Sequence, residues 1–147
     1  KRGRIAMELD TAKVMVLLQR KYNAIREISR LTKDLGESFT RNDDISAAML
    51  LEMRADEMAK VDACTGALWE LGESDRSVLQ KLQILLTADP HTAMGETPEE
   101  KKIYEIRRRT QIMLDELKRE DRKLNRRVTG EKSFYGSGKE ERRPVKV

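Results

Sequence analysis

His91 and Cys64 are the only imidazole and the only thiol in the 147-residue chain, so imidazole, thiolate and soft-metal chemistry would have to run through them. A nucleophile needs a base beside it, and a zinc site needs three or four N, S or O ligands at close spacing. Neither arrangement is present. His91 sits in the Pro-containing stretch Ala88 to Glu96, which has no apolar periodicity and predicts a solvated loop imidazole. Cys64 stands between Ala63 and Thr65 in a helical stretch, where a buried, inert thiol is expected; alone, it forms no internal disulfide. Carboxylates are abundant, but they stand three or four residues from cations, as Glu105 does from Arg108 and Arg109, and Asp115 from Lys118 and Arg119. That spacing makes surface ion pairs on a helix. No glycine-rich loop follows a strand pattern, so the residues argue against an enzyme, a cofactor or a metal and toward a protein that binds another protein.

The side chains suited to that task are methionines. Of the seven, Met49 and Met53 stand one helical turn apart on one stretch, while Met58 and Met113 fall on stripes that read as core. Flexible thioethers adapt to apolar partners of different shape, which makes Met49 and Met53 candidate partner contacts.

The elements that must position them are long helices. Val14, Leu17, Leu18, Ile25, Ile28, Leu31 and Leu35 recur about every 3.5 positions, as do Ile103, Ile106, Thr110, Met113, Leu117, Leu124 and Val128. The pattern predicts an all-α fold, an elongated antiparallel bundle of three long helices plus a short fourth. The first helix begins near Ile5 or after Asp10 and stops at Gly36, a residue able to take the left-handed conformation past a helix end. Asn42 or Asp43 can cap a second helix from near Ile45 to Leu71, ending at Gly72. That helix shows a large-residue stripe (Ala47, Leu51, Arg54, Met58, Val61, Thr65, Leu68) and a small-residue stripe (Ile45, Ala48, Ala55, Ala59, Ala63, Gly66), a pattern expected of a middle helix with a neighbour on each side. Ser74 to Leu86 restarts helical spacing as a short helix or a kinked continuation. Thr97-Pro98-Glu99-Glu100 then reads as N-cap, first helical position and reciprocal capping-box glutamate of the last long helix, which runs to Gly130. Residues 1–130 form the helical domain in this reading, and 131–147 a flexible basic tail.

Charge is unevenly spread. Charged residues make up 38% of the chain and aromatics only 4%, with a formal net charge of +4, a balance that suits thin helical packing with solvated outer faces. Residues 118–147 hold eleven Lys and Arg against five Asp and Glu. Nucleic-acid binding would use this end, but Phe134 and Tyr135 stand alone without a stacking platform, and the cations of the last turns already complement the helix dipole. No apolar run reaches the roughly 18 residues that span a bilayer, and no signal segment leads the chain, so a cytoplasmic location is expected, in keeping with the single cysteine.

The segment KYNAIREISRLTKDLGESFTRNDDISAAMLLEMRADEMAKVD and the later FYGSGK resemble the FlgN-type flagellar export chaperones: a long helix, a short polar turn and an Arg-containing second helix precede a third long helix and an aromatic, Gly-containing end. The resemblance spans roughly residues 10 to 138. It implies a small, non-enzymatic cytoplasmic chaperone that binds C-terminal helical segments of hook-filament junction proteins and delivers them to the flagellar type III export gate. In such a protein a partner's amphipathic helix would complete the seam of the last long helix at Leu117, Leu124 and Val128, with Met49 and Met53 as secondary contacts. The resemblance also makes Tyr135 a candidate contact for the export gate. The strongly basic tail, with only Val145 and Val147 as apolar anchors beyond Tyr135, departs from that pattern. Two other classes stay open: a coiled-coil scaffold or adaptor that closes its exposed stripe by homo-oligomerising, and a nucleic-acid binder acting through the basic end.

Overall fold

The computed structural model describes residues 8–132; of the tail expected over 131–147, residues 131 and 132 belong to the last helix, and 133–147, with Tyr135, lie outside the described residues. Four helices follow in order: α1 Thr11–Thr40, α2 Asp44–Glu70, α3 Arg76–Thr87 and α4 Pro98–Lys132. No strand occurs among the described residues, so the chain is an all-α bundle of three long helices with a short fourth.

Short polar side chains begin each helix. The Asp10 carboxylate accepts from Lys13 N at 3.0 Å, Asp43 from Ser46 N at 3.0 Å, and Asp75 from Ser77 N at 2.8 Å and Val78 N at 3.1 Å. Each satisfies amides that have no partner inside the helix. At α4, Thr97 Oγ1 accepts from Glu100 N at 3.1 Å, as the capping box requires. The reciprocal bond is displaced by one residue, since Glu100 Oε1 accepts from Glu96 N at 3.0 Å instead of from Thr97. Gly95 permits this fold-back: a Cβ there would lie 2.5 Å from Lys101 N.

Two helix ends differ from the sequence expectation. α1 runs through Gly36 and stops four residues later, where Asn42 takes the left-handed conformation (φ 58°). Asn42 N donates to Phe39 O at 3.1 Å and Asp43 N to Ser38 O at 2.8 Å, the paired bonds of a Schellman end with asparagine in the glycine position. The Gly36 carbonyl accepts from the Arg127 guanidinium, whose Nη1 lies 2.9 Å from the place of a Cβ at this position. α4 likewise continues past Gly130 to Lys132, because a glycine outside the left-handed conformation costs a helix only about 1 kcal/mol and does not stop it.

The middle helix is α1, not α2. Both α2 and α4 are packed along α1, with no comparable packing against each other. α1 buries twelve residues spread over two faces, among them Val14, Leu17, Leu18, Ile25, Ile28, Leu31 and Leu35, whereas α2 buries only Ala47, Cys64 and Leu68. The small-residue stripe of α2, expected to meet a neighbour, is exposed at Ala48, Ala55, Ala59, Ala63 and Gly66. Consecutive long helices run antiparallel, so α1 and α4 point the same way, with Lys33 Nζ 3.7 Å from Glu116 Oε1 and Gly36 bonded to Arg127 farther along.

The bundle is thickest at one end. There Val14, Leu17 and Leu18 of α1, Leu68 of α2, Leu82 and Leu85 of α3, and Ile103, Tyr104 and Ile106 of α4 form one apolar cluster. α3 is fastened to α4 by charge: Lys81 Nζ lies 3.5 Å from Glu100 Oε2, and Arg107 Nη1 donates to the carbonyls of Leu85 at 2.9 Å and Ala88 at 2.7 Å at the end of α3. Arg108 donates to Pro90 O at 3.0 Å and anchors the loop. Beyond this cluster α1 carries only α2 and α4, and half of each outer helix faces solvent.

Candidate partner-binding surface

α2 meets α1 through Ala47, Leu50, Arg54, Glu57, Val61, Cys64, Leu68 and Leu71, all buried or half-buried and spaced alternately three and four apart. This is a heptad seam with charged residues at two of its inward positions. Its consequence is a rotation of the helix that leaves the larger apolar residues outside. Ile45 (78% exposed), Met49 (59%), Leu51, Met53 and Met58 account for five of the nine large apolar side chains exposed among the described residues. Met58, which reads as core from its spacing, is therefore a surface residue.

These side chains straddle the exposed small-residue stripe. Ile45 heads the stripe itself; Met49 and Met53 lie toward one shoulder of α2, and Leu51 and Met58 toward the other, on the same side as Thr65 and Trp69. Met49 and Met53, with Leu50 and Ser46, line a shallow depression of about 270 Å³ whose opposite wall is Asp34, Glu37 and Ser38 of α1 and its capping residue Arg41. The exposed charges around the apolar patch are mostly acidic: Asp44, Glu52, Asp56, Asp62 and Glu70, against Arg41, which lies 3.9 Å from both Glu37 and Asp43, and Lys60, which pairs with Glu57 at 2.8 Å. A close-packed, apolar, acid-rimmed helix face is suited to receiving another helix, whose backbone can approach over the alanines while thioethers fill the flanks.

The α4 candidates are placed differently. Leu117, Leu124 and Val128 are half-buried on the stripe that continues from Ile103 and Ile106. They lie in the region where Asp121, Glu116 and Arg127 make their contacts with the other two long helices. Met49 and Met53 thus share one surface, and the α4 residues form a second, partly occupied one; the structure does not bring the two sets together. Tyr135 lies outside the described residues.

Arg54, a member of the large-residue stripe to which the sequence assigns no contact, and Lys21, which apolar periodicity passes over, are informative residues. Arg54 Nε donates to Thr32 Oγ1 at 3.0 Å and its Nη2 to Asp121 Oδ1 at 2.6 Å, joining three helices. Lys21 lies half-buried between α1, α2 and α4. Burial pulls its ammonium below the ordinary lysine range, the Cys64 thiol and Asp62 oppose that pull, and the Arg107 guanidinium adds to it. Arg107 is lowered in turn by burial, with Tyr104 and Asp89 opposing. The available signal in the sequence was a cation at an inward heptad position, Arg54, and the lone Trp69 one turn from Thr65.

His91 is exposed, and its amide donates to the Asp89 carboxylate at 2.9 Å. Cys64 is buried. Among the described residues no group of three or more His, Cys, Asp or Glu is placed to hold a metal ion, and no helix is long and apolar enough to cross a membrane. Comparison with protein-family models, with characterised proteins and with solved structures finds no match to the chain.

Proposed function

We propose that this chain is a non-enzymatic cytoplasmic export chaperone that holds C-terminal helical segments of hook-filament junction proteins and delivers them to the flagellar type III export gate. One observation carries the reading: α2 exposes Ile45, Met49, Leu51, Met53 and Met58 around a stripe of alanines, a surface with little use in a helix whose only task is to pack on α1. The likeness of residues 21–62 and 134–139 to FlgN-type chaperones names the partner, and the exposed face supplies a reason for a helix to bind. A junction-protein helix that cannot yet bury its apolar stripe in the assembled filament would bury it here.

Self-association through the same face is the weaker reading, because two copies would oppose Glu52, Asp56 and Asp62 to further carboxylates. Calorimetric titration with a peptide from the C-terminal helix of a junction protein tests the proposal. Binding with a negative heat-capacity change, lost when Met49 and Met53 are both replaced by aspartate, is the expected result. A peptide that does not bind, combined with helicity and melting temperature that rise with protein concentration, would overturn it in favour of a homo-oligomeric bundle.

A further inference from the structure

Where the four helices meet, a cavity of about 190 Å³ opens between α1, α2, α3 and α4. It is smaller than the roughly 300–1,000 Å³ that receives a drug-sized ligand, so its occupant would be a fragment of a few carbon atoms. Its walls combine two chemistries. Leu18, Trp69, Leu86 and Leu114 supply apolar surface, and Lys21 and Arg107 supply two cations.

Neither cation has a carboxylate partner within 4 Å among the described residues; Asp62 and Asp89 act on them only from farther away. Lys21 Nζ donates no hydrogen bond there, and Arg107 donates only through Nη1, to the two carbonyls that end α3. Two like charges beside one another in a partly dry pocket work against folding. Local conflicts of this kind are characteristic of places where a ligand completes the structure.

We propose that this cavity binds a small carboxylate carried on a short apolar group, the carboxylate between Lys21 and Arg107 and the apolar part against Trp69, Leu86 and Leu114. A carboxylate matches the free nitrogens of a guanidinium and neutralises an ammonium beside it, and charge-assisted bonds of this type are the strong ones. The alkyl part accounts for the leucines and the indole, which a fully hydrated anion would leave unsatisfied. The same chemistry has two sources: a free short-chain acid, or the C-terminal carboxylate of a peptide ending in an apolar residue. The site stands apart from the outer face of α2, and its test does not depend on the chaperone reading.

Trp69 is the only tryptophan of the chain, so its fluorescence reports the cavity directly. The full chain is titrated with hexanoate and with N-acetyl-leucine, and in parallel with hexanol and N-acetyl-leucinamide, which keep the apolar part and lose the charge. At least one acid should saturate with an affinity on the order of millimolar, as befits so small a ligand, and its neutral counterpart should bind about tenfold more weakly or not at all. Lys21→Met should weaken the acid about tenfold, and Lys21→Arg, which keeps the charge, should retain it. Saturation by hexanoate assigns the site to free acids; saturation by N-acetyl-leucine alone assigns it to a peptide terminus. Equal binding of acid and neutral analogue, an unchanged titration in a folded Lys21→Met chain, or no saturable signal with either acid would overturn the proposal.

Discussion

Arg54 of α2 and Asp121 of α4 form an ion pair at 2.6 Å between two helices that otherwise meet little, and the same guanidinium donates to Thr32 of α1 at 3.0 Å. The arginine side chain is only 17% exposed, while the aspartate keeps contact with water. A cation at an inward seam position thereby does what leucine could not, reaching across α1 to fix the third helix. Removing the arginine should cost more than removing the acid, because Arg54 also fills the seam. We expect Arg54→Ala to destabilise by about 2 kcal/mol and Asp121→Asn by about 1 kcal/mol, with a coupling of about 0.5–1 kcal/mol between them, as suits a pair with one half-solvated member. A double-mutant cycle by urea unfolding checks this; additive losses would make the pair incidental.

Partner capture separates the two candidate surfaces. Met49→Asp and Met53→Asp alter exposed side chains, and the melting temperature should stay within a degree or two of the parent. Leu124→Asp places a carboxylate at a half-buried position on the α4 stripe, so it should lower stability by about 1–2 kcal/mol while most of the helicity remains. Loss of junction-peptide binding in the methionine variants with retention in Leu124→Asp locates docking on α2. The reverse pattern locates it on the seam of α4.

Much of this architecture was legible in the chain, and the misreadings share a physical cause. The stripes of α1 and α4 and the Thr97 cap follow from local rules in which a residue type implies a geometry; the same rules left the choice between Asn42 and Asp43 as cap, and between a short helix and a kinked continuation after Gly72, to the structure. The order of packing does not follow from them. Reading Leu51 and Met58 as inward and Ala55 and Ala59 as a close-approach face assumes that apolar residues face the core, but α2 turns Glu57 and Cys64 inward beside Arg54 and leaves the larger apolar side chains outside. Gly36 illustrates the same limit. A glycine in a helical pattern reads as a helix end, and nothing local in the sequence shows that α1 continues through it to Thr40 or that its carbonyl accepts from Arg127, 91 residues away in sequence. The exposure of Met49 and Met53 was legible because they fall off the stripes that read as core. The cavity at Lys21 was not, since it draws single residues from four separate helices.

Acid should loosen the helix starts. The Asp43 carboxyl lies below its usual range because it accepts from the Ser46 backbone and side chain. Asp75 is lowered chiefly by the Ser77 hydroxyl and then by the Val78 and Ser77 amides, and Glu100 chiefly by the Glu96 amide. A carboxyl lowered in the folded state binds protons more readily once unfolded, so its stabilisation is complete above the unfolded value and is lost as pH falls through the folded one. The melting temperature should therefore decline below about pH 4, the ordinary carboxylate range. Asp75→Asn keeps an N-cap acceptor without a titrating group, so its decline should be shallower; thermal melts on both chains between neutral pH and pH 2 measure the difference, and parallel curves would count against the cap.

Lys21 titrates with the opposite consequence. Its ammonium is lowered from the ordinary 10.5, first by burial and further by Arg107, with Cys64 and Asp62 partly offsetting both. In the unfolded chain the same group is hydrated and holds its proton up to about 10.5. Between the folded value and 10.5 the unfolded state binds more protons, so stability contributed by this site rises with pH across that window and carries a constant penalty below it. Lys21→Met removes the charge and keeps an unbranched apolar stem in a cavity it shares with Leu18 and Leu68, so it should melt higher than the parent at neutral pH. The gap should close as pH approaches 10.5, where the parent also becomes neutral in both states. Other lysines and tyrosines titrate in the same range, but they are common to both chains and cancel in the difference. A variant that melts lower at neutral pH would mean that the ammonium is stabilised by water or by an acid nearby, and the cavity would lose its claim to an unsatisfied cation.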